Sequence, residues 1–206
     1  MRLRRFVPAL VVLATLLPIT ATMAADTYNM DRSHSNVGFR IRHLVSNVTG
    51  RFTDFSGTIQ LDTADPTKSS VTFAIKAASI DTAEPKRDAH LKSPDFFDAE
   101  KFPELTFTST KIAKGAGSTY QVTGNFTLHG VTKEITIPVD SLGTSKDPWG
   151  NERAGFSTSF VLNRKDYGIE WNKVLDAGGT LVGNEVTASI DLEAIKVKPA
   201  SAPAAK

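Results

Sequence analysis

The chain contains no cysteine. That excludes disulfides, thiolate metal sites and a cysteine nucleophile, so any stable fold must rest on an apolar core alone. Net charge is almost absent too, with 24 Lys and Arg against 22 Asp and Glu. So small an excess points neither to nucleic acid nor to an anionic membrane surface as a partner. Histidine is scarce: His34, His43, His90 and His129 complete the set, and no two stand at the i, i+4 spacing of a helical zinc motif. No Gly-x-Ser-x-Gly elbow occurs, and Ser33 beside His34 is poor geometry for a nucleophile and its base. Helical periodicity of any length is missing as well, so no helix is available to cover a sheet.

Long apolar runs are confined to the N-terminus. Arg2, Arg4 and Arg5 precede the run Phe6 to Ile19, and the small residues Thr22 and Ala24 follow it, which is the pattern of a secretory signal peptide over residues 1–24. The run is broken by Pro8 and Pro18 and falls short of the roughly 20 residues of a membrane span. Nothing later is apolar enough, so no integral membrane segment is expected in the mature form. Cleavage after Ala24 removes those three arginines and leaves 21 basic against 22 acidic residues. The remainder is expected to form one domain over 25–197, followed by a disordered Pro- and Ala-rich tail over 198–206.

What the chain does have is alternation of period two. Runs near 37–42, 55–61, 71–77, 105–110, 120–128, 135–139, 156–162 and 185–192 each set an apolar face against a Ser/Thr-rich one. This marks antiparallel strands that are wet on one side. A tight turn at His129-Gly130 joins the fifth run to the sixth. Eight strands with one apolar face each, and no covering helix, must close or fold over, so the expectation is an all-β, eight-stranded antiparallel barrel. A two-sheet sandwich is the alternative. Gly57 and Gly124, at inward positions, read as leaving interior room.

One stretch breaks the pattern. Arg87 to Pro103 crowds Phe96, Phe97 and Phe102 beside Arg87, Asp88, His90 and Asp95. Pro85 suits the first position of a short helix through Lys92, and Ser93-Pro94 offers a second helix start, giving a helical insert around residues 85–100. Its phenylalanines either plug one end of the barrel or line the mouth of a cavity. Asp95 and Asp98 form a carboxylate pair on paper, but acids in a first helical turn ordinarily serve the helix dipole.

Five blocks carry a resemblance to the YceI family of periplasmic polyisoprenoid-binding proteins. They are Asp31-Arg-Ser-His-Ser-Asn-Val-Gly-Phe39 with His43-Leu44; Gly50-Arg-Phe-Thr-Asp-Phe-Ser-Gly57; Arg87-Asp-Ala-His-Leu91 with Asp95-Phe-Phe97, Phe102-Pro103 and Phe107; Gly124 with Leu128-His-Gly-Val-Thr-Lys133; and Asn163-Arg-Lys-Asp-Tyr-Gly168 with Trp171. Tyr167 stands where Phe is common in that family. The resemblance implies a lipocalin-like barrel in the periplasm. Its apolar channel would bind, carry or sequester a polyisoprenoid, an isoprenoid quinone or a related long-chain lipid, with the head group near one opening. On this reading Phe39, Phe55, Phe73, Phe107, Phe126, Phe156 and Phe160 line the channel, and Phe96, Phe97 and Phe102 stand at its mouth. His34, Arg87, His90 and Arg164 are the head-group candidates, Arg being suited to phosphate. No catalysis, cofactor, metal or nucleic acid is expected, and the oligomeric state, a homodimer included, stays open. The alternatives are an enzyme acting on an isoprenoid lipid, through Arg87, His90 and Asp95, and a structural barrel with a filled core.

Overall fold

Alternating sequence becomes strand wherever it was read, and strand forms in three further places. A computed structural model describes residues 25–176 and 178–198. The expected leader (1–24), and all of the expected tail but Lys198, lie outside the described residues. The elements are β1 (Asp26–Met30), β2 (Asn36–His43), β3 (Ser46–Phe52), β4 (Phe55–Leu61), β5 (Ser70–Lys76), β6 (Ile80–Asp81), the helix α1 (Pro85–Lys92), β7 (Glu104–Lys114), β8 (Thr119–Leu128), β9 (Val131–Lys146), β10 (Glu152–Asn163) and β11 (Val182–Lys196).

Neighbouring strands follow the order β1-β4-β5-β7-β8-β9-β10-β11, and β11 pairs back to β1, so eight strands close an antiparallel barrel. The ring size is the expected one, but its membership differs. β1 belongs to the ring, whereas β2 lies beside it, because the long edge of β11 is shared. Val182 to Asp191 pair with β2, and Ala194 to Lys196 pair with β1. β3 and β6 extend outward from β2.

Local chemistry accounts for the strand that alternation did not mark. On β3, Val48 and Phe52 share a face with Gly50, which has no side chain and hides the pattern. A Cβ at Gly50 would stand 2.4 Å from Cζ of Phe39, so the ring from β2 occupies that place. Gly57 and Gly124 work the same way and correct the expectation that they leave room. A Cβ at Gly57 would meet the Thr72 carbonyl at 2.5 Å and the Met30 methyl at 2.6 Å, and one at Gly124 would meet the Thr108 carbonyl at 2.5 Å and Phe107 Cζ at 2.6 Å. These glycines admit neighbouring side chains. The β8–β9 turn is as expected: His129 and Gly130 both have positive φ, 51° and 74°, which suits a two-residue hairpin. Outside, threonine hydroxyls pair across strands, Thr123 with Thr136 and Thr127 with Thr132, each at 2.8 Å.

Glu84 caps α1 by accepting from the Lys86 amide, and Pro85 opens it. The second helix start does not form: Ser93 is instead the C-cap of α1, its hydroxyl donating to the His90 carbonyl at 2.8 Å. Residues 94–97 run on as turns.

Charges gather where the ring closes. Arg153 on β10 donates to Asp31 (2.8 Å), to Asp147 (2.9 Å) and to Glu193. Lys196 bridges Asp26 (2.6 Å) and Glu152 (3.1 Å). Burial pushes the Asp31 carboxyl up, but hydrogen bonds from Arg153, His34 and the Ser33 amide outweigh it and hold it at about 2. Burial likewise raises Asp147, yet bonds from Asn151, Arg153 and the Trp149 amide keep it well below the usual carboxylate range. Because both groups lose their protons more readily folded than unfolded, they stabilise the barrel above about pH 4, and that contribution fades as pH falls towards about 2.

Two outcomes follow from this framework. Urea midpoints measured from about pH 6 down to about pH 2 should fall steeply for the wild type and less steeply for Asp31→Asn, which has no proton to take up at that position. Gly124→Ala should lower stability by about 1–3 kcal/mol, since the clashing Thr108 carbonyl is backbone and cannot turn aside. Equilibrium unfolding at an unchanged m-value would measure it.

Candidate functional site

The interior faces of the barrel do not meet. They enclose a cavity of about 700 Å³, within the usual range of ligand sites. Its wall is almost wholly apolar, drawn from every strand of the ring and from β2 and β3. Phe39, Phe73, Phe107, Phe126, Phe156 and Phe160 all contribute to it, as do Phe96 and Phe97 from the insert. Two of the expected residues do not reach it. Phe55 is buried against Phe73, with ring centroids 5.9 Å apart, and packs within the same core cluster without lining the cavity. Phe102 meets His129 edge-on at 4.8 Å and lies over Gly130, where a Cβ would stand 2.4 Å from its ring. It fastens the end of the insert to the β8–β9 hairpin.

The insert is anchored by the polar residues that looked most chemical. Arg87 donates from Nε to the Thr82 hydroxyl (2.7 Å) and from Nη2 to the Thr82 carbonyl (2.8 Å). The Thr82 amide and hydroxyl in turn donate to Asp88, at 2.9 and 2.5 Å. Buried Thr82 is thereby satisfied, and α1 is tied to the end of β6. His90 pairs its Nε2 with Asp95 (2.8 Å) and sets its ring edge-on to Phe96 (5.0 Å) and Trp171 (4.9 Å). Phe97 stands edge-on to Phe52 at 5.7 Å. Phe96 and Phe97 are therefore a packed wall at the α1 end of the cavity rather than a fringe around an opening. Arg87 and His90 also touch the cavity, but their hydrogen bonds run to Thr82 and Asp95.

Of the remaining head-group candidates, His34 lies outside. It sits exposed in a 3-10 turn, its Nδ1 on Asp31 at 2.8 Å, and does not line the cavity. Asp31, His34 and Glu193 bring three ligand atoms within 4.8 Å of one another, but Arg153 already supplies the positive charge there.

Arg164 is different. Asn163 caps a 3-10 turn over Arg164–Tyr167 by accepting from the Lys165 amide, and Gly168 ends it at φ 75°. That turn directs Arg164 inward, where it is 4 % exposed and forms part of the cavity wall. Nε donates to the Gly183 carbonyl (2.9 Å) and Nη1 to the Ile169 carbonyl (2.7 Å), while Nη2 has no partner among the described residues. Burial pushes the guanidinium pKa down. Among the described residues, no carboxylate pairs with it.

Several wall residues lie in segments that alternation does not mark: Met30 on β1, Val48 on β3, and Ile169, Trp171 and Leu181 in the connection between β10 and β11. In β1 the signal was present but brief, Tyr28 and Met30 alternating with Thr27 and Asn29 over five residues.

Comparisons with known proteins agree with this architecture. The profile of the YceI-like domain matches residues 28–194. A UPF0312 protein of Photorhabdus laumondii is 43 % identical over 160 residues, covering 76 % of this chain and 82 % of that protein. The crystal structure of the Campylobacter jejuni YceI protein is 34 % identical and covers 82 % of this chain and 96 % of that one, with a TM-score of 0.67. A polyisoprenoid binding domain from Saccharophagus degradans, implicated in plant cell wall breakdown, shares the fold at 18 % identity and a TM-score of 0.63, covering 82 % of this chain and 98 % of that domain. By the extent of the profile match and the identity to its relatives, the chain belongs to the YceI-like domain family.

Proposed function

We propose that this protein is a non-enzymatic lipid-binding barrel that carries or sequesters a polyisoprenoid, an isoprenoid quinone or a related long-chain lipid. The observation that carries this reading is the apolar cavity of about 700 Å³ inside a closed ring. Such a lumen is poor in partners for a polar solute and well suited to a hydrocarbon chain. Burying one five-carbon isoprene unit is worth about 4 kcal/mol gross at about 0.8 kcal/mol per carbon group, while affinities level off near about −20 kcal/mol. The barrel would therefore select chain length more than it accumulates affinity. Family membership supports the reading, and the ligand class of the Saccharophagus degradans domain is one that a barrel of this fold holds. The engagement of Arg87, Asp88, His90 and Asp95 in anchoring the insert favours binding over catalysis. Export to the periplasm is part of the proposal, on the pattern of residues 1–24.

Three measurements test it. Solvent extraction of the purified protein followed by mass spectrometry should release a long-chain lipid; no lipid, together with no uptake of added isoprenoid, would overturn the reading. Ala188→Trp places a large ring in the lumen beside Phe39 and Phe160, and should cut lipid uptake at least about tenfold with the melting temperature nearly unchanged. A filled core would instead give a large loss of stability. N-terminal sequencing of protein from a periplasmic extract should begin at Ala25.

A further inference from the structure

The cavity wall is apolar almost throughout, yet of the charged side chains that border it Arg164 is buried, at 4 % exposed, and has no counter-charge among the described residues. Arg164 keeps its charge at every physiological pH, and an ion withdrawn from water without a counter-charge is strongly destabilising. The fold nevertheless orients this side chain with care. Two backbone carbonyls, of Gly183 and Ile169, fix Nε and Nη1. The third nitrogen, Nη2, is buried and donates to nothing among the described residues. Orphaned buried donors of this kind are rare in native proteins and mark either strain or a missing partner. Here a partner has room to enter, because Arg164 borders the lumen.

We propose that Arg164 is the head-group receptor of the barrel, and that it selects a lipid ending in an anionic oxygen, a phosphate or a carboxylate. The head group sits at the end of the cavity bounded by α1 and the β10–β11 connection. One of its oxygens accepts from Nη2, and the charge of the guanidinium is neutralised by the ligand itself. The hydrocarbon chain then runs away from Arg164 towards Tyr120, Val139 and Phe156 at the far end. This inference rests on the lipid-binding reading above and adds to it the chemistry and the direction of the ligand. It also separates Arg164 from Arg87, which donates to Thr82, and from His90, which is paired with Asp95. A charge-assisted bond in a water-poor site is stronger than a neutral one, so an anion should be preferred over an uncharged alcohol of the same chain.

The test uses three probes that share one chain: geranylgeranyl phosphate, geranylgeranoic acid and geranylgeraniol. Each is titrated into delipidated full-length mature protein, and binding is read by displacement of a fluorescent lipid. The wild type should bind at least one of the two anions about tenfold or more tightly than the alcohol. Whichever anion is preferred identifies the head group as phosphate or carboxylate. Arg164→Gln should lose that preference while keeping affinity for the alcohol, and Arg164→Lys should retain part of it. Equal binding of alcohol and both anions by the wild type overturns the inference and leaves the lipid-binding reading standing. Failure of all three probes to bind overturns both. Should Arg164→Gln not fold, the wild-type comparison still decides. If Arg164→Gln folds and keeps the full anion preference, the receptor is another residue and the inference falls.

Discussion

The barrel depends on its closure through the five residues of β1. Three residue pairs join this strand to β11 and four join it to β4, and these are the ladders that turn an open sheet into a ring. Tyr28, 2 % exposed, packs there with Ile59, Leu61, Ala154 and Ala194 in a small core of its own, apart from the larger cluster around the cavity. The ionic groups of the seam then hold strands that are remote in sequence. Arg153 reaches a residue 122 positions away in Asp31, and Lys196 gathers Asp26 and Glu152. Without this short strand the lumen would be a groove and its apolar wall would be wet.

The insert shows how polar residues come to look catalytic when their task is mechanical. Arg, Asp, His and Asp within nine positions suggest acid–base chemistry. In the fold each is matched to a partner in or beside the insert itself, so that a segment of poor strand propensity holds one shape against the barrel end. Ring packing of His90 between Phe96 and Trp171 completes the fastening. Arg164 shows the reverse. In sequence it is one of several basic residues near a turn, and only burial distinguishes it.

Much of the fold could be read from the chain because period-two alternation is a direct consequence of one-sided burial. It failed where a side chain was missing or a strand was brief. At Gly50 the inner face of β3 is completed by Phe39 from the adjacent strand, so the pattern belongs to two segments and neither displays it alone. β1 is too short for its alternation to stand out. Phenylalanine content marked the lumen well, since Phe is the chain's principal large aromatic residue, but it could not separate wall from support. Phe55 and Phe102 are as apolar as their neighbours and differ only in what covers their rings, Phe73 for one and His129 for the other. The unmet donor of Arg164 was beyond the reach of sequence, because satisfaction of a hydrogen bond is a property of surroundings that come from β11 and from the segment after β10.

The divided edge of β11 also gives the barrel two ends of unequal stiffness. Near β1 the wall is continuous backbone ladder, and widening it means breaking several hydrogen bonds together. Near α1 the outward strands finish at β6, which pairs with β3 over two residues, and the wall is carried on by side chains of the insert. Side-chain contacts yield one at a time, and a ladder does not. A guest entering from the α1 end would therefore meet a boundary that deforms gradually, with the hydrogen-bonded ring beyond it keeping its diameter.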